Sequence, residues 1–182
     1  MQSSDIRKLI NQAQKGDKDA FGQIYKLYLK KIYRFVYFSV RNKELAEDLT
    51  QTTFYKAWIS LPKFSVEEGT IQAFLFTIAR HLIIDESRKK KEISATSFGE
   101  GFEQFLSDDP GPEELAFKQE IKDFVWHALR KLKTSERNII VLRFFEELEY
   151  SEIAQIIGKK EGAIRVMIHR ILLKLKGQVE DQ

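Results

Sequence analysis

Apolar residues recur three and four positions apart along most of this chain, and no stretch alternates apolar and polar residues as a half-buried strand must. Such a pattern commits the chain to helices. Ile6, Leu9, Ile10 and Ala13 mark a short first helix that stops at Gly16. Asp17 or Asp19 can cap the next, which carries Phe21, Ile24, Tyr25, Tyr28, Ile32, Phe35, Val36 and Val40. Asn42 can cap a helix over 43–61, ended by Pro62, and Thr70 opens another that runs to the basic cluster Arg88-Lys89-Lys90-Lys91. Over 92–111 the period disappears. Ser, Gly, Asp and Pro accumulate there, and Phe98, Phe102 and Phe105 fall at no useful spacing, so this segment reads as a linker. Pro112 suits the first turn of a helix reaching 132. Shorter helices are expected over 135–145, 150–157 and 161–176. The expected fold is all-α: two small helical domains joined by a flexible acidic linker, the C-terminal one containing a helix-turn-helix. Each domain is small enough to need a dense core, which 14 Phe and 2 Trp among 182 residues can supply.

Charge is segregated along the chain. The net charge of +3 is the sum of +7 over 1–91, −7 over 92–117 and +3 over 118–182. The middle block has seven acidic residues (Glu92, Glu100, Glu103, Asp108, Asp109, Glu113, Glu114) and no basic one. Two basic blocks around an acidic connector point to modules that bind a polyanion; a solvated loop between two ordinary domains is the plainer alternative. The absence of Cys excludes a disulfide scaffold and Cys-based zinc or redox sites. The apolar runs at 35–38 and 139–142 are far too short to span a bilayer. Met1-Gln2-Ser3-Ser4-Asp5 lacks the basic and apolar blocks of a signal peptide. A soluble cytoplasmic protein without membrane insertion is expected.

Residues 150–164 have helix-turn-helix spacing. Ala154 is small where a second helix must pass, Gly158 stands at the turn, and Ile153, Ile157 and Ile164 can form the wedge between the helices. A generic helical hairpin shares that spacing, and the charge separates the two readings. At 100° per residue, Ile164, Ile168, Ile171 and Leu175 form one apolar stripe, while Gly162, Arg165, Val166, His169 and Arg170 occupy the opposite side. Six basic residues and one acidic residue lie between 159 and 176. An apolar face backed by a basic one, with a glycine for close approach, is what a major-groove helix requires.

On the helix over 70–91, Ile71, Phe74, Leu75, Ile78 and Leu82 are expected inside, with Phe76, Arg80 and Ile84 outside. An exposed aromatic one turn from an arginine suits stacking and charge contacts with unpaired bases. The helix over 43–61 has two faces able to pack. Leu45, Ala46, Leu49 and Thr53 make one; Asp48, Gln51, Tyr55 and Trp58 make the other, with Phe54 beside it. The polar Asp48 and Gln51 favour docking of a partner over full burial.

Taken together, these segments resemble a sigma factor of the extracytoplasmic-function group of the sigma-70 family. The run Ala46-Glu47-Asp48-Leu49-Thr50-Gln51-Thr52-Thr53-Phe54-Tyr55-Lys56-Ala57-Trp58 is similar to that family's helix for binding core RNA polymerase. Residues 74–85 are similar to its promoter-melting helix, and residues 129–144, 150–154 and 162–165 to its upstream-element domain. The resemblance implies domains at 1–91 and 112–182 around a linker at 92–111. It also implies roles. Asp48, Gln51, Thr52, Phe54, Tyr55 and Trp58 would dock the clamp helices of the polymerase's largest subunit. Phe64, in the 62–69 loop that holds a flipped base, would act on the −10 element with Phe76, Arg80, His81, Asp85, Arg88 and Lys89. Lys159, Lys160, Arg165, Val166, His169 and Arg170 would serve the −35 element. The implied partners are core RNA polymerase, including its flap region, promoter DNA and an anti-sigma factor, with a monomer when free and no cofactor. An all-acidic tether suits the basic channel that the family's linker follows. The chain departs from the family pattern at Thr52, where Glu is usual, and at Phe74, His81, Ala163, Val166 and Met167. Glu149 replaces a helix-capping Ser, which predicts a less firm start to the helix over 150–157.

Two other classes compete with this one. Glu44, Glu47 and Asp48 could form an acidic cluster for Mg²⁺, but no second carboxylate cluster, phosphate-binding Gly loop or nucleophile–base pair accompanies it. A stand-alone helix-turn-helix regulator needs a dimer face and a ligand pocket, whereas the N-terminal half carries basic, DNA-type features. The expected protein is not an enzyme.

Overall fold

Gly16 takes the left-handed conformation, with φ 91°, which side chains adopt only at a cost, and so ends α1 (Ser3–Gln14). Asp17 is the cap of α2 (Lys18–Val40), accepting from the backbone N–H groups of Asp19 at 2.9 Å and Ala20 at 3.0 Å. The Asn42 side chain caps α3 (Lys43–Ser60), accepting from Leu45 N–H at 2.7 Å. A tight turn, Leu61–Lys63, with Pro62 inside it, closes α3. Thr70 then accepts from Ala73 N–H at 3.1 Å and opens α4 (Ile71–Lys90). Each of these starts uses a short polar side chain to satisfy an orphan N–H, worth about 1 kcal/mol apiece.

The computed structural model describes residues 3–67, 69–90, 128–129 and 131–180. The linker at 92–111 lies outside them, as does all but the C-terminal end of the helix expected over 112–132. The second unit contains α5 (Thr134–Ile140), a widened helical turn (Val141–Phe145), α6 (Tyr150–Ile157) and α7 (Glu161–Glu180). The continuous helix expected over 135–145 is thus α5 plus a looser last turn. All the secondary structure among the described residues is helical.

One dense core runs through both units. Ile10, Ile24, Ile32, Phe35, Leu75 and Phe76 are fully enclosed in the first unit, and Ile139, Leu142, Leu148, Ile153 and Ile164 in the second. Burying each such side chain contributes about 1.5–3 kcal/mol.

Hydrogen bonds join the units beside this shared core. Arg34 of α2 donates to both carboxylate oxygens of Glu146, at 2.6 and 2.9 Å, and to the Phe145 carbonyl at 2.8 Å. Ser39 donates to Asn138 at 2.7 Å. Thr70 donates to Glu152 at 2.6 Å, and Phe38 packs on Phe145 with centroids 5.2 Å apart. Arg137 is buried and donates to three carbonyls: Leu129 at 2.9 Å, Phe38 at 3.0 Å and Leu132 at 2.9 Å. Burial, with Arg41 nearby, pushes its guanidinium down to about 10. Burial pushes the Glu146 carboxyl up, and Arg34 only partly offsets this.

Candidate nucleic-acid interface

The C-terminal helix pair has helix-turn-helix geometry. Gly158 ends α6 with φ 72°, the left-handed turn the sequence requires there. Ile153 and Ile164 are fully buried between the helices, and Ile157 is half-buried. Glu149 does not leave α6 loosely started, because Glu152 reaches back and accepts from Glu149 N–H at 3.0 Å. On α7, Ile164, Ile168 and Ile171 are buried. Arg165, Val166, His169 and Arg170 are exposed, as are Lys159 and Lys160 in the turn before it. Val166 remains 50% exposed, as Leu172 and Leu173 further along α7 do at 42% and 56%. The Arg165 guanidinium donates to Glu161 at 2.6 Å and lies over the Tyr150 ring, 4.3 Å from its centroid. Lys174 turns away from this face and donates to Glu136 at 3.0 Å, tying α7 to the start of α5.

The α4 residues divide. His81, Asp85, Arg88 and Lys89 are exposed at spacings that place them on one face, with Arg88 and Asp85 3.9 Å apart. Arg80 is half-buried. Phe76 is not on the outside: it is fully enclosed and meets Phe35 edge-on at 5.2 Å. The outward placement assumed a single neighbour for α4, whereas α2, α3 and α6 all pack against it, so its buried face is wider than one stripe. Phe64 is half-buried against Phe74, with centroids 4.8 Å apart. The loop around it is fixed by Gln14, which donates to the carbonyls of Leu61 at 3.1 Å and Phe64 at 2.7 Å. The sequence reading missed Gln14 because nothing local links it to a loop 50 residues away.

The outer face of α3 carries exposed Asp48, Gln51 and Tyr55, with Thr52 half-buried beside them. Tyr55 is 66% exposed, and Ile59, one turn on, is 59% exposed. Ile59 was missed, although it continues the Gln51–Tyr55 row at i+4. Phe54 faces inward, buried against Tyr25 with centroids 4.6 Å apart. It belongs to the core because Tyr25 of α2 fills the side where a partner would otherwise sit. Trp58 is half-buried on Phe21, at 4.9 Å. Among the described residues, no three His, Asp or Glu are grouped to hold a metal, and no helix is long and apolar enough to cross a membrane.

Known proteins are similar to this chain in sequence and fold. Sigma-70 region 2 matches residues 24–93, and Sigma-70, region 4 matches residues 125–175. The ECF RNA polymerase sigma factor SigW of Bacillus subtilis (strain 168) is 32% identical, over 97% of each chain. BldN of Streptomyces coelicolor is 31% identical, over 98% of this chain and 67% of its own. In fold, the chain is similar to CnrH, solved in complex with the cytosolic domain of CnrY: TM-score 0.72, 23% identity, 98% of this chain and 99% of that one. It is also similar to the sigma factor RpoE of Bartonella quintana, solved with the anti-sigma factor NepR: TM-score 0.70, 24% identity, 88% of this chain and 96% of that one. SigW matches both halves in order, which a stand-alone helix-turn-helix regulator would not. With the sigma-70 regions 2 and 4 in sequence and relatives alike along nearly its whole length, the chain belongs to the ECF family of RNA polymerase sigma factors, which direct promoter-specific transcription initiation.

Proposed function

We propose that three surfaces divide this work. The exposed row Asp48, Gln51, Tyr55 and Ile59 on α3, with half-buried Thr52 beside it, docks the clamp helices of the polymerase's largest subunit. His81, Asp85, Arg88 and Lys89 on α4, with Arg80 and the Phe64 loop, engage the −10 element, and Phe54 and Phe76 support these faces from within. Lys159, Lys160, Arg165, Val166, His169 and Arg170 engage the −35 element. The units at 1–91 and 112–182 act through the tether at 92–111. The chain works in the cytoplasm, as a monomer when free, without catalysis of its own. An anti-sigma protein completes the reading, since the structurally similar RpoE was captured with one.

The observation that carries this reading is α7, whose buried isoleucines fix an exposed basic face. Arg is suited to a bidentate contact with guanine, worth about 1–3 kcal/mol of discrimination. Lysines near the helix ends meet phosphates and add affinity without sequence choice. Arg165→Ala should therefore relax preference at one or two upstream positions, while Lys159→Ala weakens all promoters alike. Binding of both variants, as holoenzyme, to promoters with single-base changes at fixed salt tests it. An Arg165→Ala holoenzyme that loses affinity equally for every promoter would make that arginine a phosphate clamp and overturn the assignment.

A further inference from the structure

Tyr150 opens α6, and its ring carries two guanidiniums. Arg165 of the recognition helix lies 4.3 Å from the ring centroid and Arg143, from the widened turn after α5, lies 4.8 Å from it. Arg143 is itself fixed, donating to the Leu148 carbonyl at 2.9 Å. Arg165 is held at a second point by Glu161, one turn earlier on α7. Left to itself, an exposed arginine samples many rotamers, and ordering it on DNA would cost most of what the contact gains. An aromatic face under a guanidinium fixes its plane, and an ion pair fixes one end; the remaining N–H donors stay available.

The geometry points to Tyr150 as a positioning residue that preorganises Arg165 for base reading, although Tyr150 touches no base itself. This rests on the assignment of Arg165 to the −35 element. Stacking needs the ring and not the hydroxyl. Tyr150→Phe therefore keeps the preference of the unmodified protein, while Tyr150→Leu and Tyr150→Met, which keep an apolar side chain but no ring, lose it about two- to fivefold. The loss is confined to the base position that Arg165→Ala also relaxes, and ring removal adds nothing in the Arg165→Ala background.

The test measures full-length variants assembled with core RNA polymerase, binding promoters with single-base upstream changes at fixed salt, with helical CD and melting recorded for each. Supporting results are retained preference in Tyr150→Phe, reduced preference in whichever ringless variant folds, and no further loss in the double variant. Equal behaviour of the Phe and ringless variants overturns the proposal, as does a ringless loss spread evenly over all promoters or failure of both ringless variants to fold. If Arg165→Ala leaves base preference untouched, the −35 assignment of Arg165 falls, and the positioning role falls with it. If Arg165→Ala relaxes preference and the ringless variants do not, only the positioning role falls.

Discussion

At the scale of single residues, the aromatic side chains show how neighbours decide a role. Phe76 lies one turn from Arg80 on α4, and spacing alone places it outside with that arginine; Phe35 on α2 claims it for the core instead. Phe76→Ala should cost about 3–5 kcal/mol in denaturant unfolding, and unchanged stability would return the ring to the surface. Glu136 makes a different kind of contribution. The backbone N–H of Lys133, and then Lys174, hold its carboxyl below the usual 4.5. A carboxylate with a lowered folded value stabilises the fold above the unfolded value, and that stabilisation is lost as pH falls through the folded one. Glu136→Ala should thus lower stability by about 1 kcal/mol at pH near 7, with the gap to the unmodified protein narrowing below pH 4.5. Thermal melts of both proteins across that range check it; a gap independent of pH would contradict it.

Among the elements, α3 carries the clearest division between a buried and an exposed face. Ala46, Leu49, Thr53, Phe54 and Ala57 are buried, while Asp48, Gln51 and Tyr55 are exposed on the other side. Asp48→Ala with Gln51→Ala should weaken co-purification with core polymerase about tenfold or more and leave the helical CD spectrum unchanged. Undiminished co-purification would remove this face from the interface. Helix starts were legible in the sequence because capping is local: Asp17, Asn42 and Thr70 act on N–H groups two or three residues away. The α7 faces were legible for the same reason, since one helix period sorts Ile164 from Arg165. What the sequence concealed depends on pairs distant along the chain. Tyr25 under Phe54, Tyr150 under Arg165, and Gln14 at the Phe64 loop are set by how helices pack, which no local spacing encodes.

For the whole molecule, the two units are in contact where promoter work requires them apart. Thr70, at the entrance to α4, is bonded to Glu152 of the helix-turn-helix, and Arg34 grips Glu146. The −35 and −10 elements lie about 25 base pairs apart, or about 85 Å at one turn per 34–36 Å. A globule of this length has a radius of gyration of about 16 Å. Engaging both elements therefore requires the seam to part, and energy transfer between fluorophores on α1 and the end of α7 should fall when core polymerase and promoter are added. Unchanged transfer would mean that only one element is engaged at a time. Parting the seam exposes apolar surface, Phe38 against Phe145 included, as well as hydrogen bonds, so binding to polymerase and promoter has to supply the free energy of opening. The most direct measurement of the account as a whole is run-off transcription from a promoter library, using core RNA polymerase with and without the purified chain. The account predicts RNA starting at defined sites on a subset of templates sharing upstream and −10 sequences, only when the chain is present. Start sites unaltered by its addition, or RNA without regard to template sequence, would contradict it.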